Sequence, residues 1–140
     1  MKIILRLFFI FFSFLSFAQI NDSNVNLLIN KISQTEAKGD TTSNDYANLI
    51  NNLAIYYTNK GMYTQAEPLF IKVSTIRKSV YGENHLSYAT SLNNLAFLYQ
   101  KQGRYIEAEP VLLKSLQIEK SILGSDNSDY LDSYEMLGFL

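Results

Sequence analysis

The chain has 140 residues, 47% apolar and 14% aromatic, with twelve Lys and Arg against thirteen Asp and Glu. That length holds one domain or one short repeat array. A net charge of −1 lacks the basic excess of nucleic-acid and anionic-membrane binders, and the absence of cysteine excludes disulfides, cysteine-ligated zinc, iron–sulfur centres and thiol catalysis.

Residues 1–18 differ from the rest. Six of the nine Phe lie before residue 18, whereas all ten Tyr lie after residue 45. Lys2 and Arg6 open the segment, an apolar run follows, and Ser16 and Ala18 place small residues at alternate positions. This is the pattern of a secretory signal peptide cleaved after Ala18. The alternative is an uncleaved anchor, for which the run is short against the roughly 20 residues of a spanning helix. The expectation is therefore an exported chain, periplasmic or extracellular, with no membrane insertion after cleavage. Removing Lys2 and Arg6 leaves ten cations against thirteen acids, a net charge of −3.

Residues 19–43 come next. Leu27, Leu28, Ile29 and Ile32 form a short apolar patch closed by Gly39. They predict an N-terminal capping helix over 23–38 and a loop from Asp40 to Asn44; the alternative is a disordered leader. From residue 44 the chain repeats itself. Residues 44–85 align without gaps on 86–127 with 17 of 42 positions identical, including Asn51-Asn52-Leu53-Ala54 on Asn93-Asn94-Leu95-Ala96. A third copy begins at 128 and reaches Leu140 with only its first helix. A fixed period in this range marks a solenoid.

Each unit reads as two helices. Ile50, Leu53, Ala54 and Tyr57, repeated as Leu92, Leu95, Ala96 and Tyr99, recur at three- and four-residue steps and form one helical face. Gly61 and Gly103 end that helix, where glycine tolerates the left-handed conformation of a cap. The second helix carries Ala66, Leu69, Phe70, Val73 and Ile76, matched by Ala108, Val111, Leu112, Ser115 and Ile118. Pro68 and Pro110 are expected close to its first turn, where a missing N–H has little to pair with. Ala54, Ala66, Ala96 and Ala108 are small where paired helices would cross closely.

Leu-Ala-x-x-Tyr followed by Gly-x-Tyr-x-x-Ala resembles the tetratricopeptide repeat. The 42-residue period, with Leu-Asn-Asn-Leu-Ala and Gly-Arg-Tyr-x-Glu-Ala-Glu-Pro, is similar to the kinesin-light-chain type used widely by bacterial proteins. The closing Gly-x-x-His-Pro of that type reads Gly82-Glu83-Asn84-His85-Leu86 and Gly124-Ser125-Asp126-Asn127-Ser128 here, so the turn between units is less stiff. The resemblance covers about residues 44–140 and implies an all-α, right-handed solenoid of antiparallel helix pairs.

In such a stack the first helices line the concave side. Their positions outside the core are Asn48, Asn51, Asn52, Ile55, Thr58 and Asn59 in unit one. Unit two supplies Thr90, Asn93, Asn94, Phe97, Gln100 and Lys101, and unit three Asp132, Glu135, Met136 and Phe139. Paired amides suit a peptide backbone, because each Asn can donate to a C=O and accept from an N–H. The resemblance implies that asparagines at the Asn51 and Asn93 positions hold an extended peptide. The same amides could instead cap or bridge neighbouring helices.

Other motifs carry less. His85 has Glu83 near it but no second histidine and no placed nucleophile, so it reads as a turn residue. Asp126-Asn127-Ser128-Asp129 lacks the glycine and closing Glu of a calcium loop; capping of the next helix by Ser128 or Asp129 explains it. Arg77, Lys78, Lys114 and Lys120 are expected on a solvated convex face. No catalytic residue, metal site or cofactor is expected. The function expected is a non-catalytic module with a protein or peptide partner and no nucleic acid. The alternative is the sensor region of a larger enzyme, for example a CHAT-type peptidase. The apolar end at Leu137, Phe139 and Leu140 leaves two readings, a longer array or an end covered by self-association.

Overall fold

The computed structural model describes residues 23–138, and among them every regular element is a helix. Helix α1 covers 23–37. It is followed by α2 (Asn44–Asn59), α3 (Tyr63–Tyr81), α4 (Leu86–Lys101), α5 (Tyr105–Leu123) and α6 (Ser128–Gly138). The signal peptide expected over 1–18, and Phe139 and Leu140 of the third unit, lie outside the described residues.

The turns explain why the helices pair. Lys60–Met62 is too short to do anything but fold α3 back along α2. Gly61 sits at φ 73°, its N–H bonds to the Thr58 carbonyl at 3.0 Å, and Met62 N–H bonds to the Tyr57 carbonyl at 2.8 Å. That closure satisfies the last free carbonyls of α2. Gly103, at φ 72°, repeats it: its N–H bonds to the Gln100 carbonyl and Arg104 N–H to the Tyr99 carbonyl, both at 2.9 Å. A Cβ at either glycine would meet nothing within 4 Å, so alanine would cost only its conformational strain. Gly61→Ala and Gly103→Ala are each expected to lower stability by about 1–2 kcal/mol, read as a reduced denaturant midpoint, with asparagine costing less.

Burial follows the repeat. Ala54, Ala66, Ala96 and Ala108 are fully buried, so paired helices approach closely at those points. One cluster joins Tyr46, Ala47, Ile50 and Leu53 of α2 to Val73 and Ile76 of α3, with Ile32 of α1 sealing its outer side. A second joins Ala54, Ala66 and Phe70 to Leu95, Leu98, Tyr99 and Ala108, and so spans four helices and both repeats. The tyrosine of the first cluster keeps its polar end satisfied: Tyr46 donates to Glu36 Oε1 at 2.6 Å and accepts from Lys72 Nζ at 2.8 Å. Burial, reinforced by the Glu36 bond, raises its phenol above the usual range.

Three expectations are corrected. Pro68 and Pro110 lie a turn deeper than expected, inside α3 and α5. The carbonyls that lose a helical N–H donor belong to Thr64 and Ile106, both exposed residues. Arg77 is buried rather than on a solvated face, because it follows Val73 by four residues and shares its inward side. The cap of α6 is Asn127, whose Oδ1 accepts from Asp129 N–H at 2.8 Å, one residue earlier than expected.

Candidate functional site

Asn48, Asn52, Ile55 and Asn59 are exposed and follow one another at three- and four-residue steps, so they form a stripe on α2 opposite the core. In α4 the same register gives Thr90, Asn94, Phe97 and Lys101, with Asn94 half-buried and the others exposed. Ile55 and Phe97, 42 residues apart, are 39% and 41% exposed. Two apolar side chains thus stand at matching heights on adjacent first helices. Lys101 Nζ sits over the Phe97 ring at 5.0 Å from its centre, which sets a positive charge beside the ring.

The amides beside this stripe divide into two roles. Asn94 Nδ2 donates to Asn51 Oδ1 at 2.9 Å and ties α4 to α2. That bond uses the Asn51 oxygen and an Asn94 N–H, and leaves the Asn51 NH₂ group and the Asn94 oxygen as a donor and an acceptor on neighbouring first helices. Asn93 turns the other way. Its Nδ2 donates to Glu119 Oε1 at 2.7 Å and to Ser133 Oγ at 2.8 Å, and its Oδ1 is buried without a partner. Asn93 therefore belongs to a network joining α4, α5 and α6, not to the outer stripe.

Three further candidates are engaged within the stack. Thr58 is buried and donates to the Ala54 carbonyl at 2.8 Å, so it does not face the groove. Its position four residues after Ala54 puts it on the inner side. Thr90 donates to the Leu86 carbonyl at 2.9 Å, and Gln100 Nε2 holds the Met136 carbonyl of α6 at 2.8 Å. Asn48 accepts from Arg77 Nη2 at 2.9 Å while remaining exposed. His85 caps α4: its Nδ1 accepts from Ser87 N–H at 3.0 Å, and its ring stacks on Tyr81 at 4.4 Å.

Several polar residues matter that sequence reasoning missed. Arg77 and Glu119 occupy the same register of α3 and α5 and are both buried, with no salt-bridge partner within 4.0 Å for either among the described residues. Desolvation lowers the Arg77 guanidinium from its usual range. Its partners are neutral: Asn48 and the Ser87 carbonyl. Arg104, in the turn before α5, grips Glu67 of the preceding repeat at 2.7 and 3.1 Å and Glu107 at 2.7 and 2.6 Å. Those carboxylates raise the guanidinium further, and the Glu107 bond to Arg104 depresses the Glu107 carboxyl. The signal for Arg77 and Glu119 is present in the sequence as charge placed inside an apolar stripe.

The family model described as tetratricopeptide repeat matches residues 45–99 and 87–140. Among curated proteins no match is found. Among solved structures the chain is similar to BtubC (BKLC) from P. vanneervenii, with a TM-score of 0.79 at 20% identity. The match covers 84% of this chain and 47% of that one, so the chain spans about half the length of its structural neighbour.

Proposed function

Because the chain belongs to the tetratricopeptide-repeat family, whose repeats generally mediate protein–protein interactions, we propose that the stripe on α2 and α4 holds an extended peptide segment of a protein partner. One observation carries this reading: the Asn51–Asn94 bond leaves a free donor and a free acceptor beside two exposed apolar side chains. An extended backbone offers C=O and N–H groups to that pair, and its alternate side chains meet Ile55 and Phe97. Asn52, exposed on the same stripe, adds a further amide. On the export reading of residues 1–18, the groove faces the periplasm or the extracellular space.

The test uses a peptide selected on the full chain from a displayed library. Asn51→Ala and Asn94→Ala are each expected to weaken its binding by about tenfold, as loss of one buried hydrogen bond does. Asn93→Ala serves as the contrast, since its amide faces away and its removal should act on stability instead. Undiminished binding by folded Asn51→Ala and Asn94→Ala variants would sink the proposal.

A further inference from the structure

Two opposite charges lie buried one repeat apart beneath the groove. Arg77 of α3 is 8% exposed and Glu119 of α5, at the same register, is 5% exposed. Among the described residues, neither Arg77 Nε nor Glu119 Oε2 has a hydrogen-bond partner. Burial keeps water and salt from screening such charges, so each imposes its sign on the surface above it.

An asparagine on a first helix meets each charge. Arg77 Nη2 donates to Asn48 Oδ1 at 2.9 Å, and Asn48 is exposed on the α2 stripe. Arg77 Nη1 donates to the Ser87 carbonyl at 3.3 Å, which sets the guanidinium between α2 and the start of α4. With its oxygen held by Arg77, Asn48 keeps its NH₂ group as a donor. Glu119 Oε1 accepts from Asn93 Nδ2 at 2.7 Å, and the same amide donates to Ser133 Oγ of α6. The carboxylate therefore acts between α4 and α6. The groove is positive on the α2 side of α4 and negative on the α6 side, with Phe97 on the helix between. Exposed charges do not oppose that order: Lys101 stands on the central helix, and Asp45 of α2 is answered by Asp132 and Glu135 of α6.

We propose that Arg77 and Glu119 set the charge order of the bound peptide, with an acidic side chain on the α2 side of Phe97 and a basic one on the α6 side. This rests on the groove reading above and adds the chemistry of the partner. Helices packed side by side lie about 8–10 Å apart, which an extended chain covers in about three residues. The ligand is an extended segment with an acid and a base at that separation, flanking an apolar anchor.

The test uses the full chain and the library-selected peptide in two forms. Glu and Lys flank its apolar anchor about three residues apart in either order, with a nitroxide label beside Glu. Titration calorimetry gives the affinities, and broadening of amide signals locates the label. In the tighter form, or in both forms at equal affinity, the label should broaden Asn48 and Ser87 and spare Ser133. Where the affinities differ, the ratio should be about tenfold, as for charges about 10 Å apart at an effective dielectric constant of about 20. The Arg77→Gln/Glu119→Gln chain, uncharged at both positions, should bind both forms equally and lose the bias. Either single variant, expected to weaken the bias, answers if the double variant does not fold. Broadening of Ser133 instead, no bias, or an order that persists in the folded double variant would overturn the proposal while the groove stands. Broadening confined to the outward faces of α3 and α5 would overturn the groove reading, and this order with it.

Discussion

Replacing Phe70 by alanine is expected to lower the unfolding free energy by about 3–5 kcal/mol, the usual loss for a buried phenylalanine. Phe70 is 2% exposed and lies in the cluster that joins α2 and α3 to α4 and α5. A solenoid is stabilised by each repeat and by the interface between neighbours, and this ring belongs to the interface. The total for such a domain is about 5–15 kcal/mol, so the variant should lose cooperative unfolding or show a much lower denaturant midpoint by circular dichroism. Phe70→Leu should be far milder, because Leu112 fills the equivalent position one repeat later and is fully buried there. A loss below about 1 kcal/mol for Phe70→Ala would mean that the two repeats do not share a core.

Phe97→Asp is expected to abolish detectable peptide binding while leaving the fold intact. The ring is 41% exposed and contributes to no buried cluster, so its removal from the stack costs little. A carboxylate there would place charge where an apolar side chain of the ligand should sit. Phe97→Ala should weaken binding by about ten- to a hundredfold, on the scale of other aromatic anchors in interfaces. Ile55→Ala, a smaller side chain at the neighbouring height, should lose less. Titration calorimetry with the selected peptide measures all three. Equal affinity for wild type and Phe97→Asp would place the ligand elsewhere.

The helical architecture was legible because two copies of one pattern stand in the sequence, and glycines mark both tight turns. Individual polar roles were less legible, and the asparagine pairs show why. Asn51 and Asn93 are identical in type and register, yet one meets Asn94 across the repeats and the other meets Glu119 and Ser133. The difference arises on other helices, where Asn94 of α4 has Met136 as its counterpart in α6 and Arg77 of α3 is replaced by Glu119 in α5. Arg77 turns to Asn48, whereas the Glu119 carboxylate draws in the Asn93 amide. No local pattern around Asn93 encodes that. Thr58 and Arg77 were readable, since each follows a core residue by four positions and so shares its inward face. Spacing argues burial even where residue type argues against it.

The most direct test of the peptide groove is a nuclear magnetic resonance map of the chain with the selected peptide bound. Shifts are expected at Asn51, Asn52, Ile55, Asn94, Phe97 and Lys101, with the outward faces of α3 and α5 unmoved. Shifts centred on the outward face of α3 or α5 instead, with the α2 and α4 stripe unchanged, would contradict it.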